Sequence, residues 1–480
     1  MSLQSAGQLT IGFWDGIPVR AEPVEEHLTS DAGLLPFFEL DQKLGWSASF
    51  SSCIHDQRNG CTHSVLSIVR QRVFGILAGY EDQNDHDALR SDPVFKLIAE
   101  RLPAEPDLAS QPTISRLENS VTAGDLLRME DWFIERFLES FSTVPAEITL
   151  DVDLFDDPTH GDQQLTFFHG FYDQYQYQIR VITCAENDMT VLPALLYGTA
   201  HASLGVATDL RRVILRLRER FPDVRLLVRA DSGFAVPGLY EMLESLQVEY
   251  SIGLAMNARL KKMTDPLLEI AVQQLAETQQ KQRLFALFDY QAESWSQARS
   301  VIVKCEANAQ GTNRRAIVTN RAGARSCPQG AYDAYADRGE SENRNKELKC
   351  ELQTDRLSDH RYLANAFRMM MHVLAANLLV QMRALVAHPP AVDRVEPEMP
   401  LDARTPRQKR RYFNQRRQSD PLGEGHACTW RLCLIKVAAR IVTSTRRIRV
   451  LIATSWPNFH FYALVTRAIS DFRPPAISSG

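Results

Sequence analysis

The chain has 480 residues, 44% hydrophobic and 24% charged, which is typical of a globular protein and excludes a disordered or fibrous one. No apolar run approaches the roughly 20 residues that span a bilayer, and the N-terminus lacks the basic and apolar stretches of a secretory signal, so we expect a cytoplasmic protein without a membrane partner. The formal net charge of −5 excludes a strongly basic chain, and the eight cysteines lack the spacing of a disulfide framework.

The first 145 residues have the pattern of helices, with an apolar-rich helix predicted over Val65–Leu77. A further helix is predicted to begin near Ser110, because serine commonly caps helices and Pro112 follows it by two residues. Its polar first turns, with Arg116, suit a recognition helix in a DNA groove, although an ordinary helix of a bundle has the same pattern. We therefore assign residues 1–145 to a helical N-terminal region for DNA binding or dimerisation.

From Ala146 the apolar period changes to the alternation of a strand, as in Ile148–Val152. Two more strands complete a meander, and helix, strand, helix and strand follow. The order βββαβαβ is the ribonuclease-H-like topology, and the predicted fold class is therefore α+β. The predicted elements after the first strand are Leu165–Phe171, Tyr177–Cys184, Thr208–Phe221, Val224–Ala230, Leu239–Leu246 and Tyr250–Leu254.

A β-rich segment separates this core from the next long helices. A helix-like stretch leads there into three strand-like pieces, which we interpret as a domain inserted into the core. The predicted domains are 146–256 for the first part of the core, 257–328 for the β-rich insertion, 329–387 for the second part of the core with a catalytic helix, and 388–480 for a basic C-terminal DNA-binding segment.

The C-terminal segment has the densest positive charge of the chain. Residues 401–450 hold 13 Lys and Arg against three acids, and such local charge binds phosphates whatever the net charge. A solvated tail has the same composition, so that alternative stays open. The candidate DNA contacts in this segment are Lys409, Arg410, Arg411, Arg416 and Arg417.

Four chemically distinct residues share one predicted helix face: Tyr335, Arg338, Glu342 and Lys349. At 3.6 residues per turn they fall within an arc of roughly 60° and span about 20 Å. A carboxylate flanked by two cations suits an anionic polymer held beside a metal ion. A simple surface pair of Arg338 with Glu342 would have the same spacing.

Candidate acids also end two predicted strands upstream of that helix. Asp151 closes the first strand, Asp153 follows on the same face, and Asp231 closes the fourth strand. With Glu342 they are the parts of a site for two Mg²⁺ (or Mn²⁺) ions that promotes displacement at phosphorus. We expect Asp151 to be the first ligand, because the alternating strand leads directly into it, with Asp153 as the alternative ligand or a supporting partner.

Several motifs of the chain resemble those of a known family. The helix face has the spacing Tyr-x2-Arg-x3-Glu-x6-Lys, which matches the signature of DDE transposases of bacterial insertion sequences. Val228–Phe234 resembles the segment that carries their second aspartate, and Gly79–Pro93 is similar to the N-terminal block of the insertion sequence 1380 family. One departure is Phe155, where relatives often have Thr, and it leaves the choice between Asp151 and Asp153 open.

The resemblance implies a cut-and-paste DNA transposase in the bacterial cytoplasm, associated with the nucleoid. It would bind the terminal inverted repeats of its own element as a homodimer that pairs two ends, cleave a strand, and join the freed 3′-hydroxyl to a phosphodiester, in the end that of target DNA. Enzymes with this signature have a β insertion domain near the cleavage site. Trp295 is therefore a candidate for stacking on a flipped base, against the alternative of a core Trp. The alternative function is a sequence-specific DNA-binding derivative without cleavage activity.

Overall fold

The computed structural model describes residues 9–11, 17, 19–58, 60–388, 399 and 404–474. In this part of the chain helices and strands are mixed, which confirms the α+β class. The helices are α1 (Leu34–Leu44), α2 (Trp46–Ser51), α3 (Val65–Ala78), α4 (His86–Leu89), α5 (Pro93–Ile98), α6 (Gln111–Glu118), α7 (Ala123–Glu139), α8 (Val206–Arg220), α9 (Pro237–Ser245), α10 (Ala258–Thr278), α11 (Pro328–Ala336), α12 (Ser341–Lys346), α13 (Tyr362–Val386), α14 (Pro406–Ser419), α15 (Ala427–Trp430) and α16 (Phe459–Asp471).

The strands form one large sheet and two small ones. They are β1 (Leu9–Ile11), β2 (Val19–Ala21), β3 (Leu28–Thr29), β4 (Glu147–Pro158), β5 (Phe167–His169), β6 (Gln174–Cys184), β7 (Thr190–Tyr197), β8 (Arg225–Ala230), β9 (Glu249–Leu254), β10 (Gln282–Tyr290), β11 (Arg299–Asn308), β12 (Gly311–Thr319), β13 (Ala439–Ser444) and β14 (Arg447–Ile452).

Within the described residues the large sheet has nine strands, in the order β10-β11-β12-β9-β8-β4-β6-β5, and β7 also pairs with β6. Strands β4, β8 and β9 are parallel to one another, and β6 and β7 continue the sheet in antiparallel fashion. The chain order β4-β6-β7-α8-β8-α9-β9 is consistent with the predicted ribonuclease-H-like topology.

The third strand of the meander differs from the prediction. It is β7 (Thr190–Tyr197), whereas the predicted strand Leu165–Phe171 is only the short arm β5, which pairs with the far end of β6. Pro193 lies inside β7, and proline within an apolar run argues against a central strand. At β7 the missing backbone donor is tolerated, because this strand lies at an edge of the sheet.

The predicted β-rich insertion extends the core sheet instead of forming a sheet of its own. Its strand β12 pairs antiparallel with β9, from Ala316 opposite Leu254 to Thr319 opposite Ser251. Without β12, strand β9 would present a row of unpaired backbone groups at the edge of the sheet. This pairing brings the side chains of β12 close to the ends of β8 and β9.

Helix α13 is the centre of the helical layer. By length and composition it passes for a membrane span, yet 78% of that stretch is buried inside the protein, as in a core helix. Helices from both ends of the chain, α1, α3 and α16, pack against it. Buried Glu118 accepts hydrogen bonds from Arg72 (3.0 Å) and from Arg368 of α13 (2.5 Å), so the N-terminal helices are joined to the core by charge as well as by apolar packing.

Candidate active site

Parallel pairing of β4 with β8 brings the predicted aspartates to one end of the sheet. Asp151 on β4 lies opposite Arg229 on β8. Two residues later, just past the end of β8, Asp153 and Asp231 are therefore neighbours. The Asp231 carboxylate accepts a hydrogen bond from the backbone N–H of Gly233 (2.8 Å) and caps the short 3-10 turn that follows. This cap fixes the position of Asp231 beside Asp153.

The predicted catalytic helix changes its winding three times. It passes from α11 through a 3-10 turn (Asp337–Glu340) and α12 into a π turn (Glu347–Glu351). A 3-10 turn holds fewer residues than an α turn, and a π turn holds more. The four residues predicted on one helix face therefore do not share a face in the structure. Arg338 and Glu342 remain in contact, whereas Lys349 reaches a different acid.

The guanidinium of Arg338 lies among the acids of the site. Its Nη1 donates to Oδ1 of Asp153 (2.6 Å), and its Nη2 donates to Oε1 of Glu342 (3.3 Å). The ring of Tyr335 lies against the same guanidinium, 6.0 Å from its central carbon. Burial alone would lower the pKa of Arg338, but Asp153, Tyr335, Glu342 and Asp231 raise it overall. The structure thus groups one acid from β4, one from the end of β8 and one from α12 around a single cation.

Asp153 has the most perturbed environment of these three acids. Burial, opposed by Arg338 and reinforced by Asp231, Asp151 and Glu342, raises the pKa of Asp153 to about 6. Its second oxygen accepts a hydrogen bond from Nδ2 of Asn345 on α12 (2.8 Å), a residue that the sequence analysis missed. Carboxylate oxygens are the donors that hard divalent cations such as Mg²⁺ favour, so the chemistry of the three acids fits such ions.

Asp151 has a different environment in the structure. Both of its oxygens accept hydrogen bonds from Arg229, from Nε at 2.6 Å and from Nη2 at 2.7 Å, and the residue is only 1% exposed. Arg229 also donates to the backbone oxygen of Ala334 in α11 (2.8 Å). This buried ion pair joins β4, β8 and α11. It occupies the carboxylate that the sequence analysis preferred as the first metal ligand.

A cleft of about 380 Å³ opens beside Asp231 and is bounded by Tyr335, Arg338 and two arginines of β12, Arg314 and Arg315. The arginines come from the predicted insertion, and the pairing of β12 with β9 is what places them here. Their proximity was not visible in the sequence, which gave no register for that pairing. An exposed guanidinium such as that of Arg315 is well suited to bind a phosphate that enters this cleft.

Close backbone packing sets the position of Tyr335. A Cβ atom on Gly253 would lie 2.8 Å from the backbone nitrogen of Ser232 and 2.9 Å from the hydroxyl oxygen of Tyr335. Only glycine leaves room for β9, the turn after Asp231 and the tyrosine to meet at this point. Burial is the largest influence on Tyr335 and raises the pKa of its phenol.

Lys349 binds an acid at the far end of β4. Its Nζ donates to Oδ1 of Asp156 (2.6 Å), and Nε2 of Gln174 donates to the other oxygen of that carboxylate (3.0 Å). Burial alone would raise the pKa of Asp156, but the hydrogen bond and charge of Lys349 lower it overall. The predicted phosphate-binding lysine therefore connects the catalytic helix to β6.

Trp295 is packed inside the β-rich part of the structure. It is 6% exposed and makes edge contacts with Tyr240 (centroids 5.4 Å apart) and Tyr290 (5.7 Å), while the guanidinium of Arg299 lies over its ring. A base could reach this ring only if the packing opened. The arrangement matches the alternative that the sequence left open, a core Trp of a β domain.

The remaining predicted DNA contacts lie on two helices. Arg116 is exposed on α6, whose other face is anchored by buried Ile114 and Leu117. The five C-terminal candidates all lie on α14, where Arg416 pairs with Glu424 (2.6 Å). Arg410, Arg411 and Arg417 are exposed, and Lys409 and Arg416 are half-buried. A cavity of about 390 Å³ adjoins both α14, through Arg416 and Arg417, and α12, through Arg344.

Among the described residues, the ligand atoms of Asp153, Asp231 and Glu342 do not all lie within 4.8 Å of one another, whereas those of another group do. One ligand atom each of Glu347, Glu351 and His426 lies within 4.8 Å of the others. Glu347 is already paired with Arg383 (2.6 Å), and burial lowers the pKa of His426. The charge of Glu347 is thus largely balanced without an ion.

Comparisons with known proteins place the chain in a family. No curated protein matches it. Among solved structures, a piggyBac transposase in a synaptic complex with hairpin DNA is similar with a TM-score of 0.40 and 12% sequence identity, over 74% of this chain and 77% of that one.

A family model described as transposase DDE domain group 1 matches residues 14–399, which is most of the chain and includes every acid of the site. DDE transposases act on DNA and generally depend on divalent metal ions. The narrower assignment to the insertion sequence 1380 family, with its Tyr-Arg-Glu-Lys signature, stays a prediction. By the extent of the family match, this chain belongs to the transposase DDE domain group 1 family.

Proposed function

We propose that this protein is a cut-and-paste DNA transposase that cleaves and joins strands at the terminal inverted repeats of the element that encodes it. The observation that supports this most is the convergence of Asp153, Asp231 and Glu342 around Arg338. An inactive DNA-binding derivative would have no need to retain three repelling carboxylates in one place, since such a group costs stability without a bound cation.

In this proposal Asp153 replaces Asp151 as the first metal ligand. Asp231 and Glu342 complete a set that would hold two Mg²⁺ or Mn²⁺ ions. When bound, the ions activate the attacking oxygen and stabilise the leaving oxygen of a displacement at phosphorus. Asp151 serves instead to hold Arg229, and through it α11, in place.

Cationic side chains would orient the DNA. Arg338 would donate hydrogen bonds to a phosphate when metal ions hold the acids, and Arg315 extends the same cleft. Tyr335 lies beside them to hydrogen-bond a phosphate oxygen. Asn345 keeps the Asp153 carboxylate oriented in either state. Exposed arginines of α14 and Arg116 of α6 would bind more distant phosphates of the duplex.

Two copies of the chain would pair two element ends, and the freed 3′-hydroxyl would attack first the opposite strand, giving a hairpin, and then target DNA. The protein would do this on the nucleoid in the bacterial cytoplasm.

The test uses a labelled duplex that carries the end of the element, incubated with Mg²⁺ or with EDTA. We expect a break at the element boundary only with metal. Glu342→Gln should abolish that break and leave binding of the end nearly unchanged, because the side chain keeps its size. Specific binding by wild type without any cut, even with both ends present, would favour the DNA-binding derivative.

A further inference from the structure

Strands β5 and β6 form a hairpin whose exposed side chains are aromatic except for that of Asp173. The aromatic hairpin, as we call residues 167–175, carries Phe171 at its tip with 84% of the side chain exposed. Phe168 packs against Tyr175 (centroids 5.6 Å apart) and Phe171 against Tyr172 (5.0 Å), so the rings form one patch. Exposed apolar groups that cluster in this way mark binding surfaces.

The aromatic hairpin projects from the end of the sheet that carries the acids. Val181 of β6 lies opposite Asp153, and Phe171 at the tip of the hairpin precedes Val181 by ten residues. At about 3.3 Å per residue this is at most about 33 Å, or about ten base pairs of duplex. Gln174 shares the carboxylate of Asp156 with Lys349, which joins the hairpin to the catalytic helix by two hydrogen bonds.

Two exposed arginines and the exposed Asp162 lie near the base of the aromatic hairpin, and one of the arginines, Arg356, pairs with Glu81 (3.4 Å). The backbone N–H of Gln164 donates to the carbonyl oxygen of His360 (2.9 Å), which fixes the hairpin against the segment that carries exposed Arg356 and Arg361. Arg361 in turn donates to the backbone oxygen of Asn119, directly after the helix of Arg116. Flat aromatic rings beside cations are the combination that binds nucleic acid whose bases are accessible, whereas a contact between protein copies needs no such cations.

We propose that the aromatic hairpin binds the DNA substrate, its rings stacking on bases that leave the helical stack within about ten base pairs of the cleaved phosphodiester. This inference rests on the proposed function, because it takes DNA to be the occupant of the adjoining site. It assigns to Phe171 and its neighbours the stacking that the sequence suggested for Trp295, which is buried.

The experiment uses duplexes with 2-aminopurine at successive positions up to ten base pairs on either side of the boundary, bound to the full chain with Glu342→Gln to prevent cleavage. We expect a rise in fluorescence at one or two positions. Phe171→Ala should abolish the rise and weaken binding about 5- to 150-fold, the range for loss of one stacked base. Phe171→Trp, which keeps an aromatic ring, should restore both. Leu215→Ala, which removes an exposed apolar side chain from α8, is the control and should change neither.

Equal fluorescence and affinity for Phe171→Ala and its parent would overturn the proposal. So would a loss of dimer in sedimentation with no change in fluorescence, because the hairpin would then bind a second copy. The experiments distinguish the two proposals. If the wild-type chain binds DNA but never cuts it, and the fluorescence depends on Phe171, transposase activity is contradicted and DNA binding by the hairpin is supported. If the chain cuts DNA and Phe171 has no effect, transposase activity is supported and DNA binding by the hairpin is contradicted.

Discussion

Arg229 and Asp151 form a bidentate ion pair across the parallel strands β4 and β8, with N–O distances of 2.6 and 2.7 Å and almost no exposure to solvent. The next acid on the same face of β4, Asp153, faces Arg338 and Glu342 instead. The two aspartates lie on the same face of one strand but have different environments. Asp151 is held in a buried ion pair, whereas Asp153 lies among other acids.

The ion pair predicts a stability effect for Asp151. Asp151→Asn leaves the buried guanidinium of Arg229 without its counter-charge, and breaking such a pair costs about 3–5 kcal/mol. We expect a fall of that size in the free energy of unfolding, measured by urea denaturation followed by circular dichroism. An unchanged unfolding midpoint would show that solvent screens the pair.

A similar argument applies to Glu118, which accepts hydrogen bonds from both Arg72 and Arg368 in the core. Glu118→Gln should lower the free energy of unfolding by about 3–5 kcal/mol, because two buried guanidinium groups lose their shared carboxylate. Glu100→Gln is the control, since the carboxylate of Glu100 pairs with Arg70 but is 60% exposed, and its loss should cost less than about 1 kcal/mol. Equal effects of the two substitutions would contradict the buried network.

The raised pKa of Asp153 predicts a pH dependence of stability. Its pKa is about 6 in the folded metal-free protein and 3.8 without the protein environment. Between these values the folded state binds more protons at this group than the unfolded state, so its contribution is fully present below about pH 4 and is lost as the pH rises through about 6. The loss is at most about 3 kcal/mol.

The measurement compares wild type with Asp153→Asn, which lacks this titration, at pH 4.5 and pH 7.5 in EDTA. Wild type should lose stability relative to the variant at the higher pH. Added Mg²⁺ should restore it there, because the ions bind only the charged carboxylates. A stability difference that is the same at both pH values would mean that Asp153 does not titrate in this window.

Gly253 offers a test of the geometry at the end of β9. Gly253→Ala places a methyl group 2.9 Å from the Tyr335 hydroxyl and 2.8 Å from the nitrogen of Ser232, next to Asp231. We expect about 1–3 kcal/mol of destabilisation and a loss of cleavage beyond what unfolding explains. Gly323→Ala is the matched control, because no atom lies within 4 Å of the added methyl group. Full cleavage by Gly253→Ala would show that Tyr335 and Ser232 can move away from the added methyl group without disturbing the site.

Sequence patterns were sufficient for the order of the core elements, because strands with alternating polarity and helices with a 3.6-residue period alternate clearly between Ile148 and Leu254. They missed β7, where Pro193 interrupts an apolar edge strand, and they did not show that β12 joins the core sheet. Strand partners far apart in sequence follow from register, which local periodicity does not encode.

For the candidate site, the sequence predicted the acids but not the different environments of Asp151 and Asp153. Alternation placed Asp151 and Asp153 on the same face, and only the position of Arg229 on the neighbouring strand separates them. The same limitation applies to Asn345, Arg314 and Arg315, whose proximity to the acids depends on helix winding and on the pairing of β12. Burial of Trp295 likewise depends on aromatic neighbours from two other elements.

The most direct measurement compares metal-dependent cleavage of the element end by Asp153→Asn and Asp151→Asn, at a temperature where both variants are folded and with rates normalised to folded protein. The account predicts that Asp153→Asn reduces cleavage at least about 100-fold while binding of the end persists, and that Asp151→Asn stays within about 10-fold of wild type. Loss of cleavage in Asp151→Asn together with retained cleavage in Asp153→Asn would contradict it.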